Sequence, residues 1–134
     1  MTMSKVKSPN RVKMELEYPL RSSTNILYQY ISSPSGLQSW FADNVQVNQG
    51  KFLFKWEDGT ETLTEVIKNV TNKYIRFAIV NAPEDEFMEF RVAQDDITGD
   101  VELIITEFVN EDEEEMAASI WDSAVDNLRH IIGA

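Results

Sequence analysis

The sequence predicts an α+β domain in which an antiparallel sheet of about seven strands curves around one long C-terminal helix. Three observations carry this expectation. Residues 110–133 carry an apolar stripe at helical spacing with start and stop signals at its ends. Short stretches of alternating apolar and polar residues fill most of the preceding chain, and turn residues recur at hairpin spacing from Asp43 onward. The order of elements is then β-α-α-β6-α: one strand, two short helices, six strands and the closing helix.

A leader over residues 1–11, expected to be flexible, precedes a single domain over 12–134. In the first strand Val12, Met14, Leu16, Tyr18 and Leu20 alternate with Lys13, Glu15 and Glu17, so one face is buried. Ser22, Ser23 and Thr24 open a short helix whose apolar side is Ile26, Leu27, Tyr30 and Ile31. Ser33-Pro34 opens a second, with serine as cap and proline in the first turn, and Leu37, Trp40 and Phe41 face inward. Asn48-Gln49-Gly50, Glu57-Asp58-Gly59, Asn69 to Asn72, Ala82 to Asp85 and Asp95 to Asp100 then cut the middle into strands. Phe52, Phe54 and Trp56 share one face, as do Ile75, Phe77 and Ile79, and Met88, Phe90 and Val92. Between Thr60 and Val70 the faces are mixed: Leu63 and Ile67 share a side with Glu65, while Val66 joins Thr62 and Thr64. That strand's orientation stays open.

The closing helix starts from Asn110 and Glu113, spaced as a capping pair, with Asp112, Glu114 and Glu115 placing negative charge on the unpaired N–H groups of the first turn. Arg129, His130 and Gly133 mark its end. Met116, Ala117, Ile120, Trp121, Ala124, Val125, Leu128, Ile131 and Ile132 form its stripe. Such a helix needs a broad apolar surface to lie on, and a helix laid across a concave sheet tends to leave an interior space.

Composition excludes several classes of function. A chain of 134 residues, 43% hydrophobic, supports one core and one domain. A net charge of −11 argues against nucleic acid as a partner, because phosphate binding needs clustered cations. The absence of cysteine removes thiol nucleophiles, disulfides and thiolate metal sites. No apolar run is long enough for membrane insertion or a signal-peptide core, so a cytoplasmic protein is expected. No cofactor is implied. No residue is assigned a catalytic or metal-binding role: His130 reads as one half of a solvated i, i+4 pair with Asp126, and Asp95, Asp96 and Asp100 around Gly99 miss the spacing of a calcium loop. The run Glu111 to Glu115 reads as helix capping and solubility, ahead of a partner-binding patch.

The element order, the segment Ser33-Pro34-Ser35-Gly36-Leu37-Gln38-Ser39-Trp40-Phe41, the strand Phe52-Leu53-Phe54-Lys55-Trp56 before Asp58-Gly59, and the Trp121 to Leu128 helix together resemble the START-like (SRPBCC, helix-grip) superfamily. Within it they resemble the branch of homologues of the heat-shock-protein-90 ATPase activator, and small bacterial START-like proteins of unassigned function. The resemblance covers about Val12 to Ile132 and implies a helix-grip fold. The superfamily includes lipid and sterol carriers, plant hormone receptors, polyketide cyclases and co-chaperone domains, so fold alone does not transfer function.

With that fold, the inward aromatics Trp40, Phe41, Phe54, Trp56, Phe77, Phe90 and Trp121 become candidates for a ligand cavity, together with Ile105, Val125 and Leu128. Glu107 continues the face of Val101, Leu103 and Ile105 and is a candidate polar group at the cavity end. Binding of an apolar small molecule, lipid-like or aromatic, by a carrier or sensor is therefore the first expectation. A co-chaperone-like interaction module using the acidic surface is the second, and a cyclase or dehydratase type enzyme the third.

Overall fold

The computed structural model describes residues 10–134, so the expected leader lies, through residue 9, outside the described residues. Strand β1 (Arg11–Leu20) begins one residue earlier than its apolar alternation indicates, because Arg11 is tied down. Its guanidinium donates to Glu86 at 2.6 and 3.1 Å, to the Asn110 side chain at 3.0 Å and to the Phe108 carbonyl at 3.2 Å. Met14, Tyr18 and Leu20 point inward as the alternation requires.

Helices α1 (Thr24–Ser32) and α2 (Pro34–Trp40) follow. Ser23 caps α1 by accepting from the Ile26 N–H at 3.3 Å, and Ser33 caps α2 by accepting from the Gly36 N–H at 2.9 Å. Leu27 and Ile31, one turn apart, are wholly buried, whereas Ile26 is 46% exposed, off the inward side expected for it. The remaining strands are β2 (Asn44–Asn48), β3 (Lys51–Lys55), β4 (Glu61–Val70), β5 (Tyr74–Ile79), β6 (Met88–Gln94) and β7 (Val101–Asn110), and α3 (Glu114–Ile132) closes the chain. The order β-α-α-β6-α is the one the sequence predicts.

All seven strands form one antiparallel sheet in the order β1-β7-β6-β5-β4-β3-β2. Since β1 and β2 occupy opposite edges, α1 and α2 must carry the chain across the concave face, where α3 also lies. This is the helix-grip arrangement. Strand β4 turns Thr62, Thr64 and Val66 inward and leaves Leu63 outside at 40% exposure, with the register shifting between Val66 and Lys68. Thr64 is tolerated in the core because its hydroxyl donates to the Phe52 carbonyl at 2.9 Å.

Two expectations for α3 are corrected. Residues 111–113 form a separate 3-10 turn, and neither Asn110 nor Glu113 makes a side-chain cap; the Asn110 oxygen is taken by Arg11. The acidic first turn still complements the helix dipole. The stripe is also narrower than its periodicity suggests, with Trp121, Val125 and Leu128 buried but Met116 and Ile120 61% and 63% exposed. The Tyr18 hydroxyl donates to Asp122 at 2.7 Å and Arg129 to the Pro19 carbonyl at 3.3 Å, which holds α3 against β1.

Candidate functional site: a cleft between the sheet and helix α3

Inward-facing residues of successive strands meet α3 at a cleft of about 290 Å³. Phe54 of β3, Trp56 just beyond it, Thr62 of β4, Ile79 of β5, Met88 of β6 and Glu107 of β7 form the sheet side. Phe41, just after α2, joins the lining, and Ala117, Ile120, Trp121 and Ala124 supply the helical wall. Those four recur at steps of three and one, so they share a face of α3. The space exists partly because Ala117 and Ala124, on either side of Trp121 along the helix, are small.

Phe41 organises the aromatic wall. Its ring stacks on Trp121 at 5.2 Å between centroids with only 6° between the planes, and it meets Phe54, Trp56 and Phe90 edge-on at 5.0 to 5.5 Å. The indole N–H groups are all satisfied: Trp56 donates to the Phe41 carbonyl at 3.0 Å, Trp40 to the Tyr30 carbonyl at 2.8 Å and Trp121 to the Glu107 carboxylate at 2.9 Å. Satisfied N–H groups and interlocked rings make this a preformed wall.

Of the residues singled out by sequence, Phe41, Phe54, Trp56, Glu107 and Trp121 line the cleft. Trp40, Phe77, Phe90, Ile105, Val125 and Leu128 are buried in the core behind it. Thr62, Ile79, Met88, Ala117, Ile120 and Ala124 also line it, although the sequence reading did not assign them to a site. Ile79 and Met88 sit two residues from Phe77 and Phe90 on the same inward faces, so selection by ring size passed over a signal that alternation contained. The alanines carry no such signal, since what they contribute is missing volume.

Glu107 faces inward beside Met14 of β1. Burial disfavours its charged form and pushes its pKa above the ordinary 4.5, while the hydrogen bond from Trp121 and the positive charge of Arg11 act the other way without cancelling the shift. A raised folded-state pKa means the native protein holds this proton more tightly than the unfolded chain. The associated stability is present below the unfolded pKa and is lost as pH rises through the folded one. Glu107→Gln keeps an acceptor for Trp121 and removes the charge, so it is expected to raise the thermal midpoint at neutral pH and give no gain at pH well below 4.5. Melting curves at the two pH values check this. A lower midpoint at neutral pH would show that the carboxylate is well accommodated in the fold.

Elsewhere, the Asp126–His130 side-chain pair is replaced by two other contacts. The His130 Nδ1–H donates to the Asp126 backbone carbonyl at 2.8 Å, and the Asp126 carboxylate pairs with Arg129 at 2.8 Å. Asp95 is used by its own turn, accepting from the N–H groups of Ile97 and Thr98 at 2.8 and 2.9 Å. Among the described residues no group of three or more His, Cys, Asp or Glu side chains could hold a metal ion, and no helix is long and apolar enough to cross a membrane.

The sequence matches the START-like superfamily domain over residues 8–134. No curated protein matches it. Among solved structures, a Bacteroides fragilis protein determined by solution NMR is 32% identical, with 92% of each chain covered and a TM-score of 0.62. An uncharacterised Bacillus thuringiensis protein shares the fold at 14% identity, over 92% of this chain and 100% of that one, with a TM-score of 0.73. The Aha1 dimer from Colwellia psychrerythraea does so at 19% identity, over 90% of this chain and 92% of that one, with a TM-score of 0.67. With the superfamily match running through every strand and helix described above, this chain belongs to the START-like superfamily.

Proposed function

We propose that the protein is a cytoplasmic carrier or sensor that binds an apolar small molecule in the cleft between the sheet and α3. The observation that carries this reading is the lining: Phe41, Phe54, Trp56, Ile79, Met88 and Trp121 converge from separate elements on one space, with Glu107 as a polar group at its wall. A mainly apolar cleft with few polar groups is the usual form of a small-ligand site. Membership of a superfamily that includes lipid and sterol carriers supports the same reading. At about 290 Å³ the cleft lies at the small end of such sites, which favours flat aromatics or chains of modest length over a whole sterol.

Trp56 and Trp121 line the cleft, whereas Trp40 lies behind it, so tryptophan emission reports occupancy directly. Titration with flat aromatics and fatty acids is expected to change that emission, and Trp40→Phe should retain the response. Ala117→Phe places a ring in the space and should weaken binding by about tenfold or more. Val125 is wholly buried, so enlarging it would strain the core without entering the cleft. Unchanged emission in every titration, with nothing retained after native purification, would sink the proposal.

A further inference from the structure

We propose that the cleft selects ligands carrying a cationic amine beside their apolar body, with Glu107 as the partner of that amine; this rests on the cleft being a ligand site. Glu107 is the one ionisable side chain among the lining residues. One of its oxygens accepts from Trp121, and among the described residues no other side chain donates to it. Arg11 of β1 is the cation nearest in effect, but its side-chain hydrogen bonds among the described residues go to Glu86, Asn110 and the Phe108 carbonyl and none to Glu107. Of the elements packed against Glu107, β1 places Met14 opposite it, β6 contributes Met88 and α3 Trp121, all uncharged, while the carboxylates of Glu86 and Glu113 share the field of Arg11 with it.

The second carboxylate oxygen is therefore available on a largely apolar wall, where a charge without a partner is unfavourable. A ligand ammonium supplies both countercharge and donors. A ligand carboxylate would instead bring two negative charges together where water screens them least. The net charge of −11 adds a long-range preference of the same sign. Amphiphilic amines thus fit the site, and fatty acids of the same size fit it worse.

The test uses three ligands of one shape, naphthylmethylamine, naphthylmethanol and naphthoate, titrated calorimetrically into the full chain at neutral pH. The amine is expected to bind about tenfold or more tighter than the alcohol, as a charge-assisted hydrogen bond allows, with naphthoate weakest. Glu107→Gln should bring the amine's affinity down to about that of the alcohol, whatever the change in the alcohol's own affinity. Equal binding of amine and alcohol, displaced in both cases by Ala117→Phe, overturns the charge selection and leaves the cleft reading standing. No binding of any of the three overturns both. The unsubstituted protein gives an independent arm: the amine's affinity should fall as pH drops through the titration of Glu107 while the alcohol's stays level, and a level amine profile overturns the inference.

Discussion

Trp121→Ala is expected to lose about 3–5 kcal/mol of unfolding free energy, the range for truncating a large buried aromatic. Trp121 is 5% exposed and sits where α3 meets the sheet. Its ring stacks on Phe41, meets Phe90 edge-on at 5.8 Å and approaches Trp40 at 6.5 Å, so truncation loosens helix α2, the sheet and α3 together. The substitution also removes the N–H that Glu107 accepts, leaving a partly buried carboxylate without its side-chain donor. A small domain has about 5–15 kcal/mol to lose, so the variant should melt far below the parent or fail to accumulate in soluble form. Urea unfolding followed by far-ultraviolet circular dichroism measures the loss. A midpoint equal to the parent's would mean that α3 does not depend on this contact, against the geometry described.

Much of the fold was legible in the sequence because alternation and turn chemistry are local. Strand faces other than that of β4 could be read from residues two apart, and Ser33-Pro34 announced α2 through a capping geometry that spans three residues. The misses came from distance. Asn110 looks like a helix cap when only its neighbours are considered, yet Arg11 at the far end of the chain takes its side-chain oxygen. Strand β4 was ambiguous because both of its faces mix apolar and polar residues, and the deciding fact, that Thr64 satisfies its hydroxyl on the Phe52 carbonyl, lies on the neighbouring strand. The site was legible in part for the same reason. Phe41, Phe54, Trp56 and Trp121 could be placed on inward faces, but which inward residues face packed core and which face open space depends on where α3 rests. Ile120 belongs to the helix stripe by periodicity and borders the cleft because Ala117 and Ala124 leave room beside it.

Gly36→Ala is the second substitution expected to act strongly, and it runs against helix propensity. In an exposed helix interior, alanine for glycine adds about 1 kcal/mol of stability. At Gly36 a Cβ would lie 2.3 Å from the Gln29 carbonyl oxygen, 2.7 Å from the Tyr30 Cα and 2.7 Å from the Ser33 Oγ. Two of these are backbone atoms of α1, so a side-chain rotation cannot relieve the overlap, and α2 must move away from α1. The movement would disturb a connected set of bonds: the Ser33 hydroxyl donates to the Gln29 carbonyl at 2.7 Å, and the Trp40 indole donates to the Tyr30 carbonyl at 2.8 Å. Trp40 ends α2 and Phe41 follows it, so a displaced α2 carries the hub of the aromatic wall out of register with Trp121. The expected result is a loss of about 1–3 kcal/mol or more, together with a weakened tryptophan response in ligand titrations. Thermal melting and the same titrations read the two effects. A midpoint raised by the ordinary alanine gain would show that α1 and α2 are not in backbone contact at Gly36. Because the stabilising helix term and the destabilising overlap have opposite signs, the direction of the shift alone decides between them.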